Sequence, residues 1–91
     1  MTLKQLVHFT ADWCNPCKQM KPIVREFLDQ NPDIEYFVVD VDDNPKVALS
    51  YEVQSVPTFI SVIDEKNFKR HSGSGNKDML LNLFTEDIVN D

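Results

Sequence analysis

The apolar residues of the first 41 positions change period twice, which limits the folds open to this chain. Leu6-Val7-His8-Phe9 is a nearly continuous apolar run, the pattern of a strand covered on both faces. From Pro16 to Gln30 the period becomes helical. Met20, Ile23, Val24, Phe27 and Leu28 form one apolar stripe, and Lys18, Lys21 and Arg25 fall on the opposite, solvated face. Pro22 lies inside this helix, removes one backbone hydrogen bond and predicts a kink. Asn31-Pro32-Asp33 ends it, because a residue before proline disfavours helical geometry. Ile34 to Val41, centred on Tyr36-Phe37-Val38-Val39, returns to strand. Strand, helix and strand within about 40 residues predict a right-handed parallel unit.

The remainder alternates in the same way. A short helix is expected from Pro45 to Tyr51, with Asn44 as its cap and Pro45 at its first position. Pro57 introduces a third strand, Phe59 to Ile63. Asp64 to Asn67 reads as a turn, and Phe68 to Ser72 as a short antiparallel edge strand. Gly73 and Gly75 break the chain before a last helix, Lys77 to Val89. Asn76 caps that helix, Asp78 complements its positive end, and Leu80, Leu81, Phe84 and Ile88 face inward. The expected architecture is a single α/β domain over residues 1–91. It has a four-stranded mixed sheet in the order of elements βαβ-α-ββα, with helices on both faces.

Composition removes several classes of function. A 42% apolar share with 26% charged residues argues against disorder, and a formal charge of −6 makes nucleic acid and anionic membranes poor partners. No stretch of about 18 apolar residues is available to span a membrane. The first residues lack the basic and long apolar regions of a secretory leader, so a cytoplasmic protein is expected unless a leader has been removed. Two cysteines are too few to staple a secreted scaffold, and their close spacing points to redox chemistry or metal.

That spacing is Trp13-Cys14-Asn15-Pro16-Cys17, at the junction of the first strand and first helix. Backbone amides at a helix N-terminus lack partners and together carry about half a positive charge. Cys14, at or next to the cap, is therefore expected to have a lowered pKa and to supply the thiolate that attacks disulfides. Two intervening residues bring Cys17 about one turn further, within bonding reach, and Pro16 stiffens an early helical position. Cys14 would attack a substrate disulfide. Cys17, less exposed, would then attack Cys14 and release reduced product, leaving a Cys14–Cys17 disulfide to be reduced by another agent. A zinc site needs four ligands, and only His8 and His71 could join the cysteines, without zinc-like spacing, so no metal is expected. An iron–sulfur site meets the same shortage within one chain, although a dimer could share a cluster. A structural CxxC is a further reading.

At these residues the sequence resembles the thioredoxin family, and the resemblance covers essentially the whole chain. Val7-His8-Phe9-Thr10-Ala11-Asp12-Trp13-Cys14-Asn15-Pro16-Cys17-Lys18 is similar to the family's redox segment, and Pro22 stands at its helix-kink proline. Asp42, Asn44 and Pro45 resemble the segment after its parallel strand. Ser55-Val56-Pro57-Thr58-Phe59 resembles the element whose proline is cis and faces the active disulfide, and Gly73 matches a groove glycine. The resemblance implies a thioredoxin-like fold and reduction of protein disulfides by a monomer. It implies no bound cofactor, with recycling by thioredoxin reductase or a related NADPH-dependent reductase. Val56 would pair its backbone with an extended substrate segment, and Trp13, Pro57, Gly73 and Val41 would form the docking surface.

Several positions depart from the family pattern. Asn15 replaces the motif's usual glycine, and Thr10 a second tryptophan; Ser72 stands where the groove is often apolar. His8 replaces the buried aspartate behind the second cysteine, and Val38 the lysine often near it. His8 reads either as a satisfied core histidine or as a carrier for the Cys17 proton. About 20 residues of the family's usual N-terminal strand and helix have no counterpart. Two other functions stay in competition. A glutaredoxin-like, glutathione-dependent oxidoreductase is disfavoured by Trp13 and by the absence of an aromatic between the cysteines. A thioredoxin-like binding subunit with incidental redox activity is disfavoured by the intact cysteine pair.

Overall fold

The computed structural model describes residues 2–85. Its elements are β1 (Lys4–Thr10), α1 (Asn15–Gln30), β2 (Ile34–Asp40), α2 (Pro45–Ser50), β3 (Thr58–Ile63), β4 (Lys66–Ser72) and α3 (Lys77–Asn82). They form one sheet in the order β2-β1-β3-β4. β1 pairs parallel to β2 through the α1 crossover, and β3 pairs antiparallel to both β1 and β4. The expected mixed four-stranded sheet is present.

β1 alternates between two cores, which explains its unbroken apolar run. Leu6 joins Met20, Val24 and Phe27 of α1, Phe59 of β3, and Leu80 and Leu83 on one face. Val7 and Phe9 join Ala48 of α2 with Ile60 and Val62 of β3 on the other. β2 carries a similar apolar run but occupies the sheet's edge, so Phe37 and Val38 are 44% and 55% exposed. Burying β1 on both faces fixes the α1 N-terminus beside the C-terminal end of the strand, where ligands meet in open α/β sheets.

The β3–β4 connection is tighter than its sequence suggests. The turn is two residues, Asp64 and Glu65, both at positive φ (51° and 70°), so β4 begins at Lys66 rather than Phe68. Aspartate tolerates this conformation better than most residues. Here it is clamped from both sides: the Asp64 carboxylate accepts from the Leu3 amide at 2.8 Å, and its own amide donates to the Leu3 carbonyl at 2.8 Å. A register shift between Ser61 and Val62 interrupts the same hairpin. The buried Ser61 hydroxyl compensates, accepting from the Lys69 amide at 3.1 Å and donating to the Leu83 carbonyl at 2.6 Å.

Two expectations need correction. Asn44 sits at the α2 cap position but its side chain does not cap; its amide instead donates to the Asp40 carbonyl at 3.2 Å. α3 ends at Asn82, and Leu81 is half exposed. Leu80 and Leu83, three apart, share the inward face and leave Leu81 about 100° around the helix. Phe84 packs against that core and stacks on Phe27 with centroids 6.2 Å apart. Ile88 and the expected helical residues 86–89 lie outside the described residues.

Candidate active site

β1 hands the chain to α1 through four residues, and this turn builds the site. The Cys14 amide donates to the Ala11 carbonyl at 3.1 Å, holding Cys14 extended (φ −87°, ψ 101°) as the N-cap of α1. The Cys17 amide, one of the helix's unpaired donors, points at the Cys14 sulfur at 3.2 Å. No acidic residue occupies the first turn of α1, so this positive end is not neutralised from within the helix. Cys14 and Cys17 are joined by a disulfide with Cα atoms 5.3 Å apart. Cys17 is fully buried and Cys14 only 3% exposed, while Asn15 and Pro16 between them are exposed. The pair packs with Ala11, Val41 and Val56.

Val41 and Val56, which pack on the cysteines, come from the loops after β2 and before β3. The Val56–Pro57 bond is cis, as the resemblance implied. The Gly73 amide donates to the Pro57 carbonyl at 2.7 Å, tying the end of β4 to the start of β3. Gly73 holds φ 102°, a conformation L side chains rarely adopt. Trp13 is 67% exposed, and its indole N–H donates to the Asp42 carboxylate at 2.9 Å. A groove of about 120 Å³ is lined by Trp13, Val41, Val53, Gln54, Ser55 and Val56. Three of the expected docking residues, Trp13, Val41 and Val56, thus line one groove. Pro57 is buried behind it, and Gly73 is joined to it only through the Pro57 carbonyl. Val53 and Gln54 join the site without having been singled out in the sequence, and Asp42 had been matched only to the segment after the parallel strand; the signal for Val53 and Gln54 was their adjacency to Ser55-Val56-Pro57.

His8 lies on the α1 side of β1 and is 2% exposed. Its ring stacks on Phe59 with centroids 4.3 Å apart, and its Nδ1 is 2.8 Å from the Tyr36 hydroxyl. Its Nε2 is buried with no hydrogen-bond partner among the described residues. Burial, and secondarily the positive charge of Lys21, push the His8 pKa down from 6.5 to about 4. Burial raises Tyr36 to about 12. Tyr36 was missed because nothing in the sequence states the β1–β2 register, which sets Leu6 against Tyr36 and His8 against Val38. His71 lies in β4, opposite Phe59 and two strands from His8, with its Nε2 3.2 Å from the Ser74 carbonyl oxygen. Among the described residues, no three His, Cys, Asp or Glu side chains cluster as a metal site.

The thioredoxin family model matches residues 2–86. A thioredoxin of Chlamydia trachomatis is 36% identical over 81 residues, covering 89% of this chain and 79% of the relative. A thioredoxin of Mycobacterium tuberculosis is 36% identical over 86 residues, covering 93% and 74%. Among solved structures, the Fasciola hepatica thioredoxin superposes with a TM-score of 0.82 at 33% identity, covering 89% of this chain and 78% of that one. A mutant thioredoxin from Halobacterium salinarum gives 0.85 at 32% identity, covering 96% and 79%.

Proposed function

The chain belongs to the thioredoxin family and is a thiol–disulfide oxidoreductase that reduces protein disulfides, and from this premise we propose the role of each site residue. Cys14 is the nucleophile. The observation that carries this assignment is its place as N-cap, with the Cys17 amide directed at its sulfur. A thiolate there is stabilised by the helix end and by a charge-assisted hydrogen bond. Cys17, fully buried behind it, is the resolving thiol. Its attack on Cys14 within the mixed disulfide forms the Cys14–Cys17 bond and expels the substrate thiolate.

The groove lined by Trp13, Val41 and Val56 takes an extended substrate segment next to its cystine. The Val56 backbone offers the pairing edge, and the Gly73 amide, bonded to the Pro57 carbonyl, holds the buried Pro57 in place behind it. Asn15 and Pro16 form the exposed crest over which that segment passes. An NADPH-dependent reductase of the thioredoxin reductase type restores the dithiol, and the protein acts as a monomer in a reducing compartment, the cytoplasm. His8 is the acceptor of the Cys17 proton. Its buried and unpartnered Nε2 supports this role over that of a satisfied core histidine.

Substitution of Cys17 tests the order of events. A Cys17→Ser variant attacks normally and accumulates a stable mixed disulfide on Cys14, seen by mass spectrometry and reversed by dithiothreitol. Accumulation on a Cys14→Ser variant instead would reverse the assignment. For His8, the His8→Ala variant is expected to lose the pH dependence of the resolving step; an unchanged profile removes His8 from the proton path.

A further inference from the structure

The layer of side chains between β1 and α1 continues past the hydrophobic core toward the disulfide. Leu6 of β1 packs with Met20 and Val24 of α1. Two residues on, His8 occupies the same strand face one pleat nearer the strand's C-terminal end. Cys17, three residues before Met20, occupies the same buried stripe one turn nearer the helix N-terminus. Strand end and helix start lie together, so His8 and Cys17 form the next layer of one interface. The influence of Lys21, four residues after Cys17, on the His8 ring agrees with this placement.

On its other side the ring meets Tyr36. This hydroxyl is the one hydrogen-bond partner of the imidazole among the described residues, and Tyr36 itself lines a groove of about 390 Å³ with Lys21, Arg25, Leu28, Asp29 and Val38. The groove lies between α1 and the open edge of β2. Tyr36 therefore stands between a buried imidazole and a solvent-lined cleft.

Building on the assignment of His8 as acceptor of the Cys17 proton, we propose that Tyr36 is a positioning residue for the resolving step: in the reduced protein it holds His8 as the Nδ1–H tautomer, keeps Nε2 bare toward the Cys17 thiol, and connects the ring to the α1–β2 groove. A neutral imidazole has one donor and one acceptor nitrogen, and the hydrogen bond at one fixes the other. With Nδ1–H donating to the Tyr36 oxygen, Nε2 accepts from the Cys17 S–H. The opposite tautomer would set the Nε2–H against the thiol proton and leave a donor buried and unpaired. Tyr36, only half buried, keeps its own O–H free to donate into the groove.

The step balances. Cys17 S–H gives its proton to Nε2, and the resulting thiolate attacks the Cys14 sulfur of the mixed disulfide. The Cys14–substrate S–S bond breaks as the Cys14–Cys17 bond forms. The electron pair leaves on the substrate sulfur, which takes a proton from solvent. While the thiolate lasts, its charge favours the imidazolium. Once it is consumed, burial and the Lys21 charge expel a proton from the ring. The Nδ1 proton passes to the Tyr36 oxygen as the hydroxyl proton enters the groove, which leaves Nε2–H in the oxidised protein. When the disulfide is next reduced, Nε2–H protonates the departing Cys17 thiolate as Tyr36 returns a proton to Nδ1 and takes one from the groove. The titratable groups of the groove beside the ring are Lys21, Arg25 and Asp29 of α1 and Tyr36 of β2; Lys21 is the one whose charge acts on the ring, and Phe59 of β3, stacked on it, is uncharged.

Dithiobis-nitrobenzoate separates the two steps, because attack by Cys14 releases one coloured thiolate and resolution by Cys17 releases the second. Tyr36→Phe is expected to leave the first release unchanged. It should slow the second about tenfold or more, the low side of what a positioned proton acceptor contributes. Nitrogen-15 shifts of the reduced protein should report Nδ1–H in the parent and an increased Nε2–H population in Tyr36→Phe. A normal second release in Tyr36→Phe with a slowed one in His8→Ala overturns the role of Tyr36 and leaves His8 in place. A normal second release in both variants removes His8 and Tyr36 together. An Nε2–H tautomer in the reduced parent overturns the proposal without any variant.

Discussion

Lowering the pH should destabilise the oxidised protein through His8 in particular. The folded ring has a pKa of about 4 against 6.5 for an unperturbed histidine, because it is buried and lies near Lys21. The unfolded chain therefore binds the proton more readily than the folded one. His8's contribution to stability is fully present above about pH 6.5 and is lost progressively as the pH falls toward 4. The gap between those values, at about 1.4 kcal/mol per pH unit, amounts to about 3 kcal/mol. That is a large share of the 5–15 kcal/mol typical of a whole domain. The assay is urea unfolding of the oxidised protein at several pH values between 7.5 and 4, with His8→Phe in parallel. The variant keeps a ring to stack on Phe59 and keeps every carboxylate, so acid titration of those groups appears in both proteins. Its absolute stability will differ through the lost Tyr36 bond, but that offset does not vary with the protonation of residue 8. The parent should lose about 3 kcal/mol more than the variant across the range. Parallel losses would refute the argument that this ring is held neutral by its surroundings.

Two further substitutions probe elements that set up the site. Ser61→Ala removes the buried hydroxyl that accepts from the Lys69 amide and donates to the Leu83 carbonyl beside the register shift, and should cost about 1–3 kcal/mol by urea unfolding; a neutral result would mean that water replaces the hydroxyl. Asp42→Ala frees the Trp13 indole and should raise KM for a protein disulfide about two- to tenfold, as one lost hydrogen bond implies, with reaction of dithiobis-nitrobenzoate unchanged. An equal effect on both substrates would place Asp42 in the chemistry rather than in docking.

Most of this fold is legible in the sequence because its two periods are clean. The α1 stripe from Met20 to Phe27 and the doubly covered β1 run leave little choice of partner faces. Cys14 as cap and Asn76 as cap follow from local chemistry alone, and Asn76 accepts from the Met79 amide at 3.1 Å. Register and edge position are different, since they depend on which strands meet. β2 reads like an interior strand, yet it lies at the edge, and the Tyr36–His8 bond follows only from its pairing with β1. The turn at Asp64 was legible but its two-residue length was not, because neither Asp64 nor Glu65 is glycine or asparagine; a tertiary clamp from Leu3 holds it. Leu81 was misplaced because α3 is too short for a long apolar pattern to fix its rotation. At the site, the cysteine pair came from the motif and the cis Pro57 only from the family resemblance, while the Asp42 partner of Trp13 required the fold.

The Cys14–Cys17 pair is what carries electrons to protein disulfides. The most direct measurement is reduction of insulin disulfides with dithiothreitol as donor, comparing the parent protein with Cys14→Ser. Catalysis well above the dithiothreitol background is expected in the parent and none in the variant. Catalysis that persists in Cys14→Ser, or a parent no faster than dithiothreitol alone, would contradict it.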